Sequence, residues 1–295
     1  MESGGQVPAI LLTGATSGIG RAAALGLAAR GVDLVLPVRD RTRGAEVAAL
    51  ARQAGAASVD VVECDLSMMS SVRTAAAEVK SRHGRLDVLI NDAAVFLGAR
   101  HVTPEGHEVM VATNYLGPFL LTNLLLDRLV AAAPSRVINV TAPATTAPDL
   151  DDLDSEREFN PVTAFGRSTA AKLLFTYALA RRAEPQGVSV FACHPGVTRT
   201  PLMKEAPAAM RLFGAVLSLT ARTPERAAEG LIDLAVSPTL EGLSGHLVHD
   251  GKAMRSPFID DWDAQEGLWI ASEELTGIAQ RARSGAAASV APHSR

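Results

Sequence analysis

Short apolar runs recur along the chain and alternate with longer stretches in which apolar residues return every three or four positions. The short runs fall near Ala9–Thr13, Asp33–Val38, Val59–Glu63, Val88–Asn91, Val137–Thr141, Ser189–Cys193 and Gly245–Val248. Their length and β-branched content predict strands. The longer stretches, among them Ile19–Arg30, Thr42–Gln53, Ser70–His83, Asn114–Ala131, Thr163–Arg182 and Pro224–Val236, carry the helical period. Strands that stay apolar on both sides are covered on both faces, and right-handed crossovers then give a doubly wound α/β fold. The expected architecture is a parallel seven-stranded sheet with helices on both faces. No repeat or linker divides residues 1–284, which read as a single domain. Residues 285–295 are small, polar and aperiodic, and are expected to be a disordered tail.

Composition narrows the partners. The formal charge of −4 disfavours nucleic acid or an anionic membrane. Val7–Leu12 is too short for a signal core or a membrane span, so a cytoplasmic protein is expected. Cys64 and Cys193 lack metal-ligand spacing and sit in apolar runs, which predicts buried free thiols. The helices Asn114–Ala131 and Thr163–Arg182 hold more apolar residues than one buried stripe needs, which predicts a homo-oligomer. Asp149, Asp151, Asp152 and Asp154 lack supporting ligands. They predict a solvated loop, and no metal is expected.

The first strand runs into Thr13-Gly14-Ala15-Thr16-Ser17-Gly18-Ile19-Gly20, which opens the first helix. Glycines let the backbone approach a pyrophosphate, and the amides of the helix N-terminus face the anion. A strand before and a helix after the glycine pattern are the context a dinucleotide site requires. The second strand ends at Val38-Arg39-Asp40. A site for the ribose 2′-hydroxyl of NAD wants a carboxylate at that end, whereas Arg39 suits the 2′-phosphate of NADP. Arg43 lies one helical turn on, and Asp40 is placed to cap the next helix.

With these motifs the chain resembles the short-chain dehydrogenase/reductase family over roughly Pro8 to Arg255, within its Rossmann-fold, retinol-dehydrogenase-like subgroup. The glycine loop looks like that family's TGxxxGxG, and the subgroup likeness rests on Arg39-Asp40, the Asp149–Phe159 insertion, Leu173-Leu174-Phe175-Thr176 and Gly251-Lys252. The resemblance implies cofactor contacts from Gly14, Thr16, Ser17, Gly18, Ile19, Gly20, Arg39, Asp65, Leu66, Asn91 and Ala93. It also implies contacts from Pro195, Gly196, Thr198 and Thr200, in the segment that closes on the nicotinamide. Asn91-Asp92-Ala93-Ala94 matches the family's NNAG only in part. A lid over the substrate is expected at about residues 199–221, with Met203, Met210, Leu212 and Phe213 offering apolar contact.

The family's chemistry uses a serine, a tyrosine, a lysine one turn after it and an asparagine. Here Asn114 matches the asparagine, while Ala142, Phe165 and Thr169 stand at the other three positions. The chain's two tyrosines, Tyr115 and Tyr177, have Phe119 and Arg181 four residues on, so Tyr-x-x-x-Lys is absent altogether. A positioned general acid is worth about 10²–10⁴-fold in rate, so ordinary carbonyl reduction is expected to be severely impaired. Thr141 and Thr145 offer hydroxyls near Ala142 without a suitable pKa. Lys172, two turns beyond Phe165, reads as a helix-surface or subunit-contact lysine, and His194 as a hydrogen-bonded structural histidine. Three functions follow for an NADP(H)-binding protein acting on a small molecule. The first is a non-redox or unconventional biosynthetic enzyme that cyclises, rearranges or eliminates from an apolar substrate. The second is an NADPH-dependent oxidoreductase acting on an iminium or quinone, and the third is an NADP(H)-sensing pseudoenzyme.

Overall fold

The computed structural model describes residues 7–199, 202, 221–238, 240 and 242–278. Thr200, Met203, Met210, Leu212, Phe213, most of the expected lid and the 285–295 tail lie outside the described residues. The first half alternates strand and helix: β1 (Ala9–Thr13), α1 (Gly18–Ala28), β2 (Asp33–Val38), α2 (Arg41–Ala54), β3 (Ser58–Glu63), α3 (Met69–Arg82) and β4 (Val88–Asn91). A long helix, α4 (Val109–Val130), leads to β5 (Ser135–Val140), α5 (Pro161–Ala183) and β6 (Val188–Cys193). Helix α6 (Pro224–Val236), strands β7 (Leu247–His249) and β8 (Lys252–Met254), and helix α7 (Trp262–Thr276) complete the fold.

The strands form one sheet in the order β3-β2-β1-β4-β5-β6-β7-β8. The seven predicted strands are parallel, and β8 adds an antiparallel edge. The order reverses between β1 and β4, and ligands of doubly wound sheets bind outside the strand ends at such a switch point. Two apolar layers flank the sheet. One packs α3, α4 and α5, and the other packs α1, α2 and α6.

Helix α4 begins five residues before the apolar period predicts, because the Glu108 carboxylate accepts from the amides of Met110 and Val111 and caps it. It passes through a π turn at Ala112–Leu116. Pro118 has no amide to return to the carbonyl four residues back, so the ladder shifts register there. A Cβ on Gly117 would sit 2.2 Å from the Leu66 carbonyl oxygen, so glycine lets the helix press onto the loop after β3. The apolar excess in α4 and α5 is absorbed within the chain. Phe119 and Phe175 contact Trp269 of α7 at 5.1 and 5.9 Å between ring centroids. Arg182 lies over the same indole at 4.1 Å. Helix α7 thus packs against both helices within the chain.

Candidate functional site

A cleft of about 450 Å³ runs along the C-terminal ends of β1, β2, β4, β5 and β6. Its β1–β2 end is built for an anion. Ser17 opens α1 without a side-chain cap, and no acidic residue occupies the first turn, so the helix amides are left for a ligand. Gly14 has φ +78°, and a Cβ there would meet the Ala93 nitrogen at 2.9 Å. Arg39 lines the cleft from the end of β2 and is exposed to solvent. The Arg43 guanidinium donates to the Thr16 carbonyl at 3.0 Å, which ties α2 to the loop. Asp40 accepts from the Arg43 amide and so serves as the cap of α2. The Asp65 carboxylate holds its own turn through the amide and hydroxyl of Ser67. Glycine loop, uncapped helix and flanking guanidinium together fit a dinucleotide phosphate.

The other expected cofactor residues divide. Leu66, Ala93, Pro195, Gly196 and Thr198 line the cleft. Asn91 does not. It is fully buried in the sheet, where its amide donates to Asn139 Oδ1 and Thr122 Oγ1 at 2.8 and 3.0 Å. Asn139 passes the network to Thr176 at 3.0 Å, so Asn91 satisfies buried polar groups between β4, β5 and the helices. Gly20 lies behind the loop. A Cβ there would meet the Gly14 carbonyl oxygen at 2.4 Å and Asp92 Oδ2 at 2.5 Å, so its role is close packing.

At the β5 end Asn114, Thr141, Ala142, Phe165 and Thr169 all line the cleft, as the spacing predicts. Asn114 sits in the π turn. Its Oδ1 accepts from the Val95 amide at 2.8 Å, and its Nδ2 donates to the Val95 carbonyl and to Ser168 Oγ. The Phe165 ring packs on Phe96, 5.4 Å between centroids, and makes this end apolar. The Thr169 hydroxyl donates back to the Phe165 carbonyl at 2.9 Å, and Thr141 Oγ1 donates to the Thr169 carbonyl at 3.3 Å. Thr145 is exposed and outside the cleft, because the chain turns away after Ala142. No tyrosine lines the cleft among the described residues. Tyr115 and Tyr177 are both buried in the core beneath α4 and α5.

Two charged residues stand at the cleft floor. Lys172 is a correction to the surface reading: it is 3% exposed, lines the cleft and donates to the Val140 carbonyl at 3.1 Å. The seven residues from Phe165 give the wrong ruler. Lys172 is three residues from Thr169, about 4.5 Å of helix rise, and helical side chains lean toward the N-terminus. A lone lysine within Ala170-Ala171-Lys172-Leu173-Leu174 is the sequence signal for a buried charge. Burial pushes its ammonium down to about 8, opposed by the attraction of Asp92. Asp92 follows β4 and lies against the glycine loop, where the Gly20 amide hydrogen-bonds its carboxylate. Desolvation pushes the carboxyl up to about 7, opposed by the attraction of Lys172 and the hydrogen bond from Gly20.

His194 closes the β6 side, stacked on His249 at 4.8 Å. Burial first, then His249, holds it below the usual imidazole range. The cysteines are buried free thiols, as expected, each pushed up to about 12 by desolvation. The acidic loop is structural: Asp152 caps the turn at Glu156 and Arg157, and Asp154 accepts from the Glu108 amide and His107. No group of metal-ligating side chains occurs among the described residues.

Residues 8–211 match the family described as short chain dehydrogenase. Retinol dehydrogenase 14 of Mus musculus is 40% identical over 286 residues, covering 91% of this chain and 86% of that protein. Polyprenol dehydrogenase of Homo sapiens is 34% identical over 279 residues, covering 91% and 84%. A crystal structure of a protein from Mycobacterium Paratuberculosis superposes with a TM-score of 0.74 at 31% identity, over 92% of this chain and 93% of that one.

Proposed function

Because the chain belongs to the short-chain dehydrogenase family, we propose that it binds NADP(H) in this cleft and transforms an apolar small molecule without a tyrosine acid. The reaction class this favours is cyclisation, rearrangement or elimination. One observation carries the reading: the ring that enters the cleft at position 165 is a phenylalanine packed on Phe96, while both tyrosines are spent in the core. The likeness to retinol and polyprenol dehydrogenases supports an apolar substrate.

In this reading the amides at the start of α1 hold the pyrophosphate, and Arg39 pairs with the 2′-phosphate. Asp65 and Leu66 border the adenosine, and Pro195 to Thr198 border the nicotinamide. A bound dinucleotide would offer hydride chemistry, which cyclisation, rearrangement or elimination does not consume. Phe165, backed by Phe96, and Ala142 exclude water and hold a substrate in a reactive shape by contact alone. Retention of the whole cleft from Arg39 to Pro195 favours a second reading, reduction of an iminium or quinone that needs no protein acid.

Titration with NADPH and NADH by fluorescence tests the cofactor. NADPH is expected to bind at least about tenfold more tightly, with the preference lost in Arg39→Ala. Equal affinities in the wild type overturn the assignment. Incubation with apolar polyene substrates and deuterium-labelled NADPH separates the reactions. Product without label supports the non-redox reading, stereospecific label supports the second, and tight binding without any product indicates a sensor.

A further inference from the structure

Lys172, buried, and Asp92, half-buried against the glycine loop, are the charges of the cleft floor that the cofactor reading leaves unused. They belong to the β4–β5 half of the sheet, opposite the β2 end that carries Arg39. In a doubly wound sheet the two halves receive the two mononucleotides. Arg39 thus serves the adenosine side, and Lys172 and Asp92 lie beneath the nicotinamide side. An ammonium has three donors, and the Val140 carbonyl takes one. Thr169 turns its hydroxyl onto its own helix and offers the cleft no cation. Asp92 alone would repel a pyrophosphate, since its carboxylate is wedged against Gly14 and Gly20.

We propose that Lys172 is the cation that holds the ribose phosphate of the nicotinamide half, acting from one turn further along α5 than Thr169, with Asp92 as a counter-charge that takes up a proton when the anion arrives. This rests on the dinucleotide reading above. The floor balances one carboxylate against one ammonium. Two phosphates entering the cleft favour the state in which Lys172 stays charged and Asp92 is neutral. Binding is therefore linked to proton uptake near pH 7.5, between the values toward which the two groups are pushed. The other groups facing the pair are silent there. Cys193, at the end of β6, titrates near 12, and His194 is held below its usual range and is already neutral. The Gly20 amide and the Thr13 hydroxyl that accepts from the Asp92 amide do not titrate.

The test titrates the full chain calorimetrically at pH 7.5 with NADPH and with adenosine 2′,5′-bisphosphate, which lacks the nicotinamide half, in buffers of different ionisation enthalpy. Lys172→Met is expected to weaken NADPH about 10- to 100-fold, the worth of one charge-assisted hydrogen bond, and to leave the bisphosphate unchanged. The unchanged bisphosphate also shows that the variant is folded. The wild type should take up a fraction of a proton with NADPH, and Asp92→Asn should reduce that uptake toward the bisphosphate's value, which carries the nucleotide's own 2′-phosphate contribution. Wild-type NADPH affinity in Lys172→Met, an equal loss for both ligands, or an uptake untouched by Asp92→Asn overturns the proposal while leaving the dinucleotide reading intact. A wild type that binds neither ligand overturns both.

Discussion

Phe165 brings an aromatic ring without an ionisable proton into the cleft, and its neighbours supply none. Ala142 offers no hydroxyl, and Thr169 bonds its own helix. Installing one of three interdependent groups gains little, because effects within such a unit are not additive. Phe165→Tyr alone is therefore expected to leave NADPH-dependent reduction of an apolar aldehyde near background. Ala142→Ser, Phe165→Tyr and Thr169→Lys together should raise it by about 10²-fold or more, read from NADPH absorbance. A triple variant as inactive as the single one would show that this end of the cleft does not seat a carbonyl. The meeting of positions 142, 165 and 169 at the cleft is legible from spacing, because helix and strand fix where they point. Lys172 is not, because the reach of a long side chain depends on its lean as well as on the turn that bears it. The placement of Asn91 is hidden for the opposite reason: spacing puts it at the end of β4, while its hydrogen bonds run into the sheet.

Helix α5 brings Phe165, Ser168, Thr169 and Lys172 to the cleft, and its start is set by polar chemistry. Asn160 accepts from the amides of Val162 and Thr163 at 3.0 and 3.1 Å, and Pro161 begins the first turn. Asn160→Ala should cost about 1 kcal/mol in denaturant unfolding. A control lies in α6. A Cβ on Gly230 meets nothing within 4 Å, so Gly230→Ala should stabilise by about 0.5–1 kcal/mol through the unfolded chain. Strand positions follow closely from the sequence, since continuous apolar runs leave few alternatives. The π turn at Asn114 does not, although Pro118 is its visible cause, because a shifted ladder and a broken helix begin with the same proline. Helix α7 is likewise hidden by its function as a cover, with Trp262 and Ile270 exposed and Leu268 and Gln265 buried.

The molecule as a whole bears a cost at the cleft floor that its fold does not require. A buried charge pair replaced by neutral groups of similar shape is often neutral or stabilising by about 1–4 kcal/mol, whereas removal of one partner leaves the other uncompensated. Lys172→Met combined with Asp92→Asn is therefore expected to melt at or above the wild-type temperature, and Asp92→Asn alone below it. The advantage of the double variant depends on pH in a defined direction. The folded-state pKa of Asp92 is raised from 3.8 to about 7, so the stability it contributes is complete below the lower value and lost as pH rises through the upper. The folded-state pKa of Lys172 is lowered from 10.5 to about 8, so its contribution is complete above the higher value and lost as pH falls through the lower. Both penalties are in full force together only between about pH 7 and 8. The melting-temperature gain of the double variant should peak there and shrink toward pH 5 as the Asp92 contribution returns. A gain that is flat with pH would mean that packing alone separates the two proteins. A peaked gain accompanied by lost NADPH affinity would mean that stability is sacrificed at this floor for the anion the cleft receives.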